Sequence, residues 1–201
     1  ISNSKITDNY SNDVGGGIGL GSGSNKSTLS INNTVIPGNT AVGSGGGLYS
    51  DSGQSIGLSG GVIIDGNNGG NALLRGTAAS NQTKFNVTGL LYDNGIVTSI
   101  GVASSLAISN KPVITTNYTK SGNTFDTFYF HADNNTQLVN SNNNTNPNNP
   151  EAILQAKSSI SNAEVDPLDW EYQLDNDGTW ISANNSGIVI REYDGKTVTG
   201  V

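Results

Sequence analysis

Apolar residues in this chain fall in short runs separated by glycine, asparagine and serine. Leu29-Ser30-Ile31, Val62-Ile63-Ile64, Phe85-Asn86-Val87 and Ile96-Val97-Thr98 each read as one brief β-strand. The runs recur at a regular spacing. Laying residues 1–23 over 31–53 without a gap pairs Ile1 with Ile31, Asn3 with Asn33, Ile6 with Ile36 and Asn9 with Asn39. The same alignment superposes Gly15-Gly16-Gly17 on Gly45-Gly46-Gly47 and Ile18 on Leu48. A shorter signature, aliphatic–any–Asp/Gly–Asn, runs further: Ile6-Thr7-Asp8-Asn9, Ile36-Pro37-Gly38-Asn39, Ile64-Asp65-Gly66-Asn67 and Leu91-Tyr92-Asp93-Asn94. Its asparagines stand 30, 28 and 27 residues apart, and a weaker fifth copy, Lys120-Ser121-Gly122-Asn123, follows 29 residues later without the aliphatic.

The residue types suggest what each position does. The aliphatic residue ends a strand and points inward, and the Asp/Gly-Asn pair turns a corner, because Gly and Asn tolerate left-handed backbone angles. Stacked coil upon coil, Asn9, Asn39, Asn67 and Asn94 are expected to form a ladder of side-chain amides. The glycine triplet allows close backbone packing before the next inward residue, Ile18 or Leu48. A coil of this length holds about three short strands with their turns. These features predict an all-β fold, a right-handed parallel β-helix of the pectin-lyase-like solenoid kind, over residues 1–156. A β-propeller blade is longer, roughly 40 residues, and a β-sandwich leaves the period unexplained.

Composition agrees with a solenoid. Only 33% of the 201 residues are hydrophobic and 12% charged, while there are 27 glycines and 29 asparagines. Such a chain needs a fold that buries backbone with few large side chains, which stacked coils provide. The absence of cysteine excludes disulfides, Fe–S clusters and a thiol nucleophile, and fits an exported protein. A net charge of −7 with scattered basic residues argues against a nucleic-acid partner. No apolar run approaches the roughly 20 residues of a membrane span. With patterned sequence already at Ile1, the chain reads as a fragment of something longer.

Asn39-Thr40-Ala41 followed by Gly45-Gly46-Gly47-Leu48-Tyr49 resembles the N-T-A…GGG-[IL]-Y repeat of large bacterial and archaeal surface proteins, adhesin-like β-helix proteins related in pattern to polymorphic outer-membrane protein repeats. Residues 85–155 are similar to the less regular stretch that follows such coils. The resemblance spans about three quarters of the chain, and the first coil departs from it, with Tyr10-Ser11 in place of Thr-Ala. It implies a cell-surface or extracellular location and a structural or adhesive role.

The far end changes character. Asn140 to Pro150 is low-complexity Asn and Pro, an exposed loop or linker. Glu151 to Lys157 reads as a last strand or a short helix. Residues 157–201 carry both tryptophans, and Trp170 to Leu174 and Gly178 to Ile181 flank Asp175-Asn176-Asp177 as a hairpin. Strands are also expected over Gly187 to Glu192 and Thr197 to Val201. This segment resembles the start of an Ig-like tandem module, and reads as a truncated module or as the cap that a solenoid end requires.

Candidate chemistry is sparse. β-Helices do host pectinases and related enzymes, but hydrolysis needs paired carboxylates at a suitable separation, and Asp8 aligns with Gly38, Gly66 and Asp93 down the corner. Arg75, the only arginine of the repeat region, has no acidic cluster beside it in sequence. His131 has no Cys or second His for a metal site and no obvious Ser or Asp partner, so it reads as a surface or stacking residue. Asp175 to Gly178 begins like a calcium loop but lacks the terminal bidentate Glu. Gly15 to Gly23 has no Lys or following helix for phosphate. Sequons at Asn81, Asn86 and Asn117 are expected by chance in so Asn-rich a chain. Thr-x-Thr repeats at the coil period, which ice binding would need, are missing.

The sequence therefore points to a non-catalytic stalk or scaffold segment, with no cofactor and no metal; it identifies no partner, and host or environmental glycans or a host surface protein are the candidates. The alternative is a carbohydrate-binding or degenerate polysaccharide-active β-helix domain. That alternative expects Tyr49, Tyr92, Tyr118 and Tyr129 to share one exposed face.

Overall fold

Short alternating runs can bury one side chain in two, and here they do so by stacking the same run from successive coils. The computed structural model describes residues 1–21, 26–118, 120–123, 129–133, 136–140 and 151–156, together with four short strands beyond residue 170. The chain divides into two units, Ile1–Lys157 and Ser158–Val201.

The first unit is a parallel β-helix. One face carries β2 (Ile18–Leu20), β5 (Leu48–Ser50), β8 (Ala72–Leu74), β12 (Ser99–Ser104) and β14 (Phe130–Ala132) in that order, with β7 (Ile63–Ile64) also paired to β12. A second face carries β3 (Thr28–Asn32), β6 (Ser55–Ser59), β9 (Lys84–Val87) and β13 (Thr115–Thr116). A third line joins β1 (Tyr10–Ser11) to β4 (Thr40–Ala41) and continues through a bridge from Thr40 to Asn68. All these pairings are parallel. Lys5 pairs with Val35, Tyr10 with Thr40 and Ile18 with Leu48, the gap-free alignment read from the sequence.

Because register is maintained, inward residues stack in columns. On the second face Leu29, Ile56 and Phe85 lie in one column and Ile31, Leu58 and Val87 in the next. On the first face Leu48, Ala72 and Val102 follow one another. Ile64, Ile100 and Phe130 form a further column. These residues are almost wholly buried and belong to one core, except Leu29 on the first of these coils, which is half-buried and packs against it. Phe130 stacks on Phe85 across the core, with ring centroids 5.7 Å apart.

The glycine triplet is a steric requirement. A β-carbon on Gly46 would fall on the carbonyl oxygen of Asn68. One on Gly47 would lie 2.7 Å from Asn67 Nδ2, from the Asn71 carbonyl and from Ile64 Cγ2. The next coil packs here directly against the glycine backbone, with its own backbone at Gly46 and with the Asn67 and Ile64 side chains at Gly47.

Two hairpins interrupt the parallel pattern. The first, β10 (Tyr92–Asp93) with β11 (Ile96–Val97), is antiparallel and turns at Asn94-Gly95, both with positive φ. The second pairs β15 (Thr136–Asn140) with β16 (Ala152–Ala156). The latter strand runs antiparallel to the chain around Val113, with Ile114 N–H donating to Ala152 and Leu154 N–H to Pro112. Leu138 and Leu154 enter the core. The edge of the last coil along this line is thus covered by β15–β16, an end-covering role that the sequence had offered to residues 157–201. Edge strands left open invite pairing with other chains.

Glu151, at the start of this closing strand, is buried. It accepts hydrogen bonds from Thr115 Oγ1 (2.9 Å) and Asn117 N–H (2.8 Å), yet burial outweighs them and raises its pKa above the ordinary glutamate value.

The second unit, described by itself, is an antiparallel sheet of β17 (Glu171–Leu174), β18 (Trp180–Ser182), β19 (Glu192–Tyr193) and β20 (Lys196–Gly200), in the order β18-β17-β20-β19. The Asp175-Asn176-Asp177 turn and the expected strand residues 187–191 lie outside the described residues.

Two outcomes test this account. Gly47→Ala should cost about 1–3 kcal/mol in a urea melt through overpacking. Gly19→Ala, whose nearest atom is 4.0 Å away, should be neutral. For Glu151, the folded carboxyl holds its proton more tightly than the unfolded one, so this group favours folding at low pH and loses that contribution as pH rises through the raised value. Thermal melts from about pH 4.5 upward should show a decline that Glu151→Gln flattens; an identical pH profile in the variant would remove this role from Glu151.

Candidate functional site

The corner of the coil is where sequence chemistry and geometry meet most closely. The third residue of the signature has positive φ in each of the first three copies: Asp8 (60°), Gly38 (69°) and Gly66 (67°). That left-handed step precedes the asparagine, which is exposed at Asn9 on the first coil, wholly buried at Asn39 and half-buried at Asn67.

The asparagine amides form a chain with one polarity. Asn39 Oδ1 accepts from both the backbone N–H and the Nδ2 of Asn9, at 3.1 and 2.9 Å. Asn67 Oδ1 accepts the same two bonds from Asn39, at 2.9 and 3.1 Å. The spare Nδ2 hydrogens also serve corner carbonyls, Asn39 donating to Ile6 and Asn67 to Ile36. Each amide therefore satisfies backbone groups that the turn would otherwise bury unpaired.

Asn94 is not the next rung. Its signature is a hairpin turn, with the positive φ at Asn94 itself and not at Asp93, and it stands outside the column. Asn71 takes the place instead, accepting from Asn67 N–H and Nδ2 at 3.0 and 3.3 Å. Asn71 in turn donates its N–H and Nδ2 to the two carboxylate oxygens of Asp133, at 2.7 and 2.9 Å. The ladder thus runs Asn9, Asn39, Asn67, Asn71 and ends on a charge, the strongest kind of acceptor. The weaker fifth copy also makes an amide contact, but elsewhere: Asn123 Oδ1 accepts from Leu91 N–H while its Nδ2 donates to Gly89 and Tyr118.

The sequence held a signal for Asn71. It aligns with the third glycine of the triplet, since Ala72 pairs with Leu48 and Gly69-Gly70-Asn71 follows Gly45-Gly46-Gly47. A shorter corner brings this residue within four positions of Asn67. Nothing local marks Asp133, which meets Asn71 from 62 residues away.

The four tyrosines do not form an exposed platform. Tyr49, Tyr118 and Tyr129 retain 7%, 3% and 5% of their surface, and Tyr92 alone is exposed, at 51%. The physical reason is the scarcity of large apolar side chains, which draws the rings inside. Tyr118 packs 6.0 Å from Tyr129 and 6.3 Å from Phe130, and burial raises its pKa. The Tyr49 hydroxyl accepts from Arg75 Nη1 at 2.8 Å, and Asp51 lies 3.5 Å from the same nitrogen. The Tyr49 bond first, and Asp51 second, hold the Arg75 pKa up.

His131 is exposed, as a surface residue should be, but it does have an acidic neighbour. Its Nε2 lies 3.6 Å from Asp65 Oδ2 on an earlier coil. Asp65 also accepts from Asn71 Nδ2 at 3.2 Å. No group of three or more His, Cys, Asp or Glu side chains able to hold a metal ion occurs among the described residues. No helix there is long and apolar enough to cross a membrane.

Beside this cluster the coil is notched. Between Ile64 and Ala72 the chain makes its corner, whereas β12 pairs with both flanking strands without leaving the sheet. The corner wall therefore stops, leaving a cavity of about 360 Å³ bordered by the glycine turns of two coils, floored by Leu73 and Ala103, and reached by Asp133. Gly101 lies where the Asn71 and Asp133 side chains cross, and a β-carbon there would lie on them.

No family model, no curated protein and no solved structure matches this chain.

The ladder predicts a sharp contrast between two asparagines. Asn39→Ala removes an acceptor and a donor that serve several buried groups, and should cost about 3 kcal/mol or more in chemical denaturation. Asn94→Ala at the hairpin turn should stay within about 1 kcal/mol. Equal costs would mean the amide column is not what holds the corner.

Proposed function

We propose that the chain is a non-catalytic structural segment of a cell-surface or secreted protein, a stalk or scaffold of the adhesin-like β-helix kind. The observation that carries this reading is the amide chain from Asn9 to Asp133, which ties the first three coils at the corner as well as along the strands and then passes within the third coil to Asn71 and on to Asp133. A stacked coil adds a fixed rise, so length and stiffness come from repetition. The Asn39-Thr40-Ala41 and Gly45 to Tyr49 motif supports the surface-protein part of the reading, as does the lack of cysteine. Adhesion, in this view, is a matter of many weak contacts along an extended wall.

An antibody raised against the full chain tests the placement. It should label intact source cells or their medium, and labelling that appears only after permeabilisation would overturn it. Stiffness is checked separately by pulling the chain between reference domains. The β-helix should release most of its length in one step, at about 3.3–3.6 Å per residue. A gradual extension at low force would argue against a stalk.

A further inference from the structure

The notch is a place where the fold departs from its own repeat without needing to. Three earlier coils build the corner wall, turning at Asp8, Gly38 and Gly66, and the following coil closes through β12 with no corner at all. Departures of this kind are where function concentrates. At about 360 Å³ the space falls within the range of small-ligand sites.

Its lining selects a chemistry. On one side the wall is bare backbone, with Gly45, Gly69 and Gly70 contributing no side chain. The floor of Leu73 and Ala103 is apolar, and these two occupy aligned positions on adjacent strands, since Ala103 pairs with Leu73. Asp133 supplies the one charge. Its carboxylate is fixed by two bonds from Asn71, one to each oxygen, and a carboxylate has about four acceptor positions. That count leaves acceptor positions on Asp133 for a ligand's hydroxyls. Among the described residues no Lys or Arg lines the cavity, so a sulfate, phosphate or uronate would meet a carboxylate with no counter-charge from them.

We propose that this notch binds one ring of a neutral saccharide. The C–H face of a pyranose would rest on Leu73 and Ala103, and its hydroxyls would donate to Asp133. The combination of a small apolar floor with one fixed carboxylate suits a polyol better than a purely apolar or an anionic ligand. This goes beyond the scaffold reading and does not depend on it; a stalk that binds nothing would leave that reading standing.

The test is amide chemical-shift mapping of the full chain titrated with neutral trisaccharides (maltotriose, cellotriose and chitotriose), with trigalacturonate and spermidine as charged comparisons. At least one neutral trisaccharide should give saturable shifts at the amides of Gly45, Gly70 and Ala103, with trigalacturonate weaker by about tenfold or more. Ala103→Trp fills the notch from its floor and should abolish those shifts. Ala103→Glu is the second variant should the first fail to fold, and both are checked by melting temperature. The proposal is overturned if no neutral sugar shifts these amides at about 10 mM, or if the shifts map to the Tyr92 hairpin. It is equally overturned if trigalacturonate or spermidine binds best, or if a folded Ala103 variant binds as the wild type does.

Discussion

Coils that share backbone hydrogen bonds stand only one strand spacing apart, about 4.8 Å, and every other feature of the first unit accommodates that distance. At the flat faces the constraint is easily met, because side chains of like residues stack in columns. At the corner it is severe, since the backbone turns away from its neighbours while remaining too close to admit water. Glycine removes the steric conflict there, and asparagine removes the electrostatic one. The triplet Gly45-Gly46-Gly47 and the buried amide of Asn39 are two answers to the same problem.

The amide column has a direction, and that direction explains how it ends. Each rung gives two donors to the next and receives two from the one before, so the last rung must be an acceptor without donors of its own. A carboxylate fills that role better than another amide, and Asp133 presents one oxygen to each donor of Asn71. The chain of dipoles is polarised along its length. Where the column ends, the corner wall ends as well, and the notch opens beside the terminating charge. The structural device and the candidate binding site therefore share one residue.

Protection of the last coil follows the same logic in reverse. A parallel edge at residues 112–115 would offer free donors and acceptors, and β16 satisfies them by running antiparallel, unlike the stacked strands of the two main faces. Glu151 is carried inside with that strand. Its burial is a local cost of closing the edge, partly offset by Thr115 and the backbone of Asn117.

The amino-acid pattern alone marked the period, the corner and its inward aliphatic residues through the first three coils, and some of the strands, Leu29 to Ile31 among them; it left the strands at Ser55–Ser59 and Ala72–Leu74 unmarked. In these coils each residue meets its own counterpart, so a local repeat is also a contact map: Ile6, Ile36 and Ile64, or Asn9, Asn39 and Asn67, could be paired before any coordinate was known. The pattern misplaced Asn94 because a hairpin tip and a coil corner ask the backbone for the same left-handed step, and Asp-Asn-Gly satisfies either. What only the tertiary structure decided was the sequel to the third coil: Asn71 and Asp133 as rungs, β12 running straight where a corner was due, and three of four tyrosines turned inward. Those outcomes depend on residues tens of positions apart whose meeting is fixed by coil closure. Insertions and deletions that cancel in space leave no period in the sequence to read.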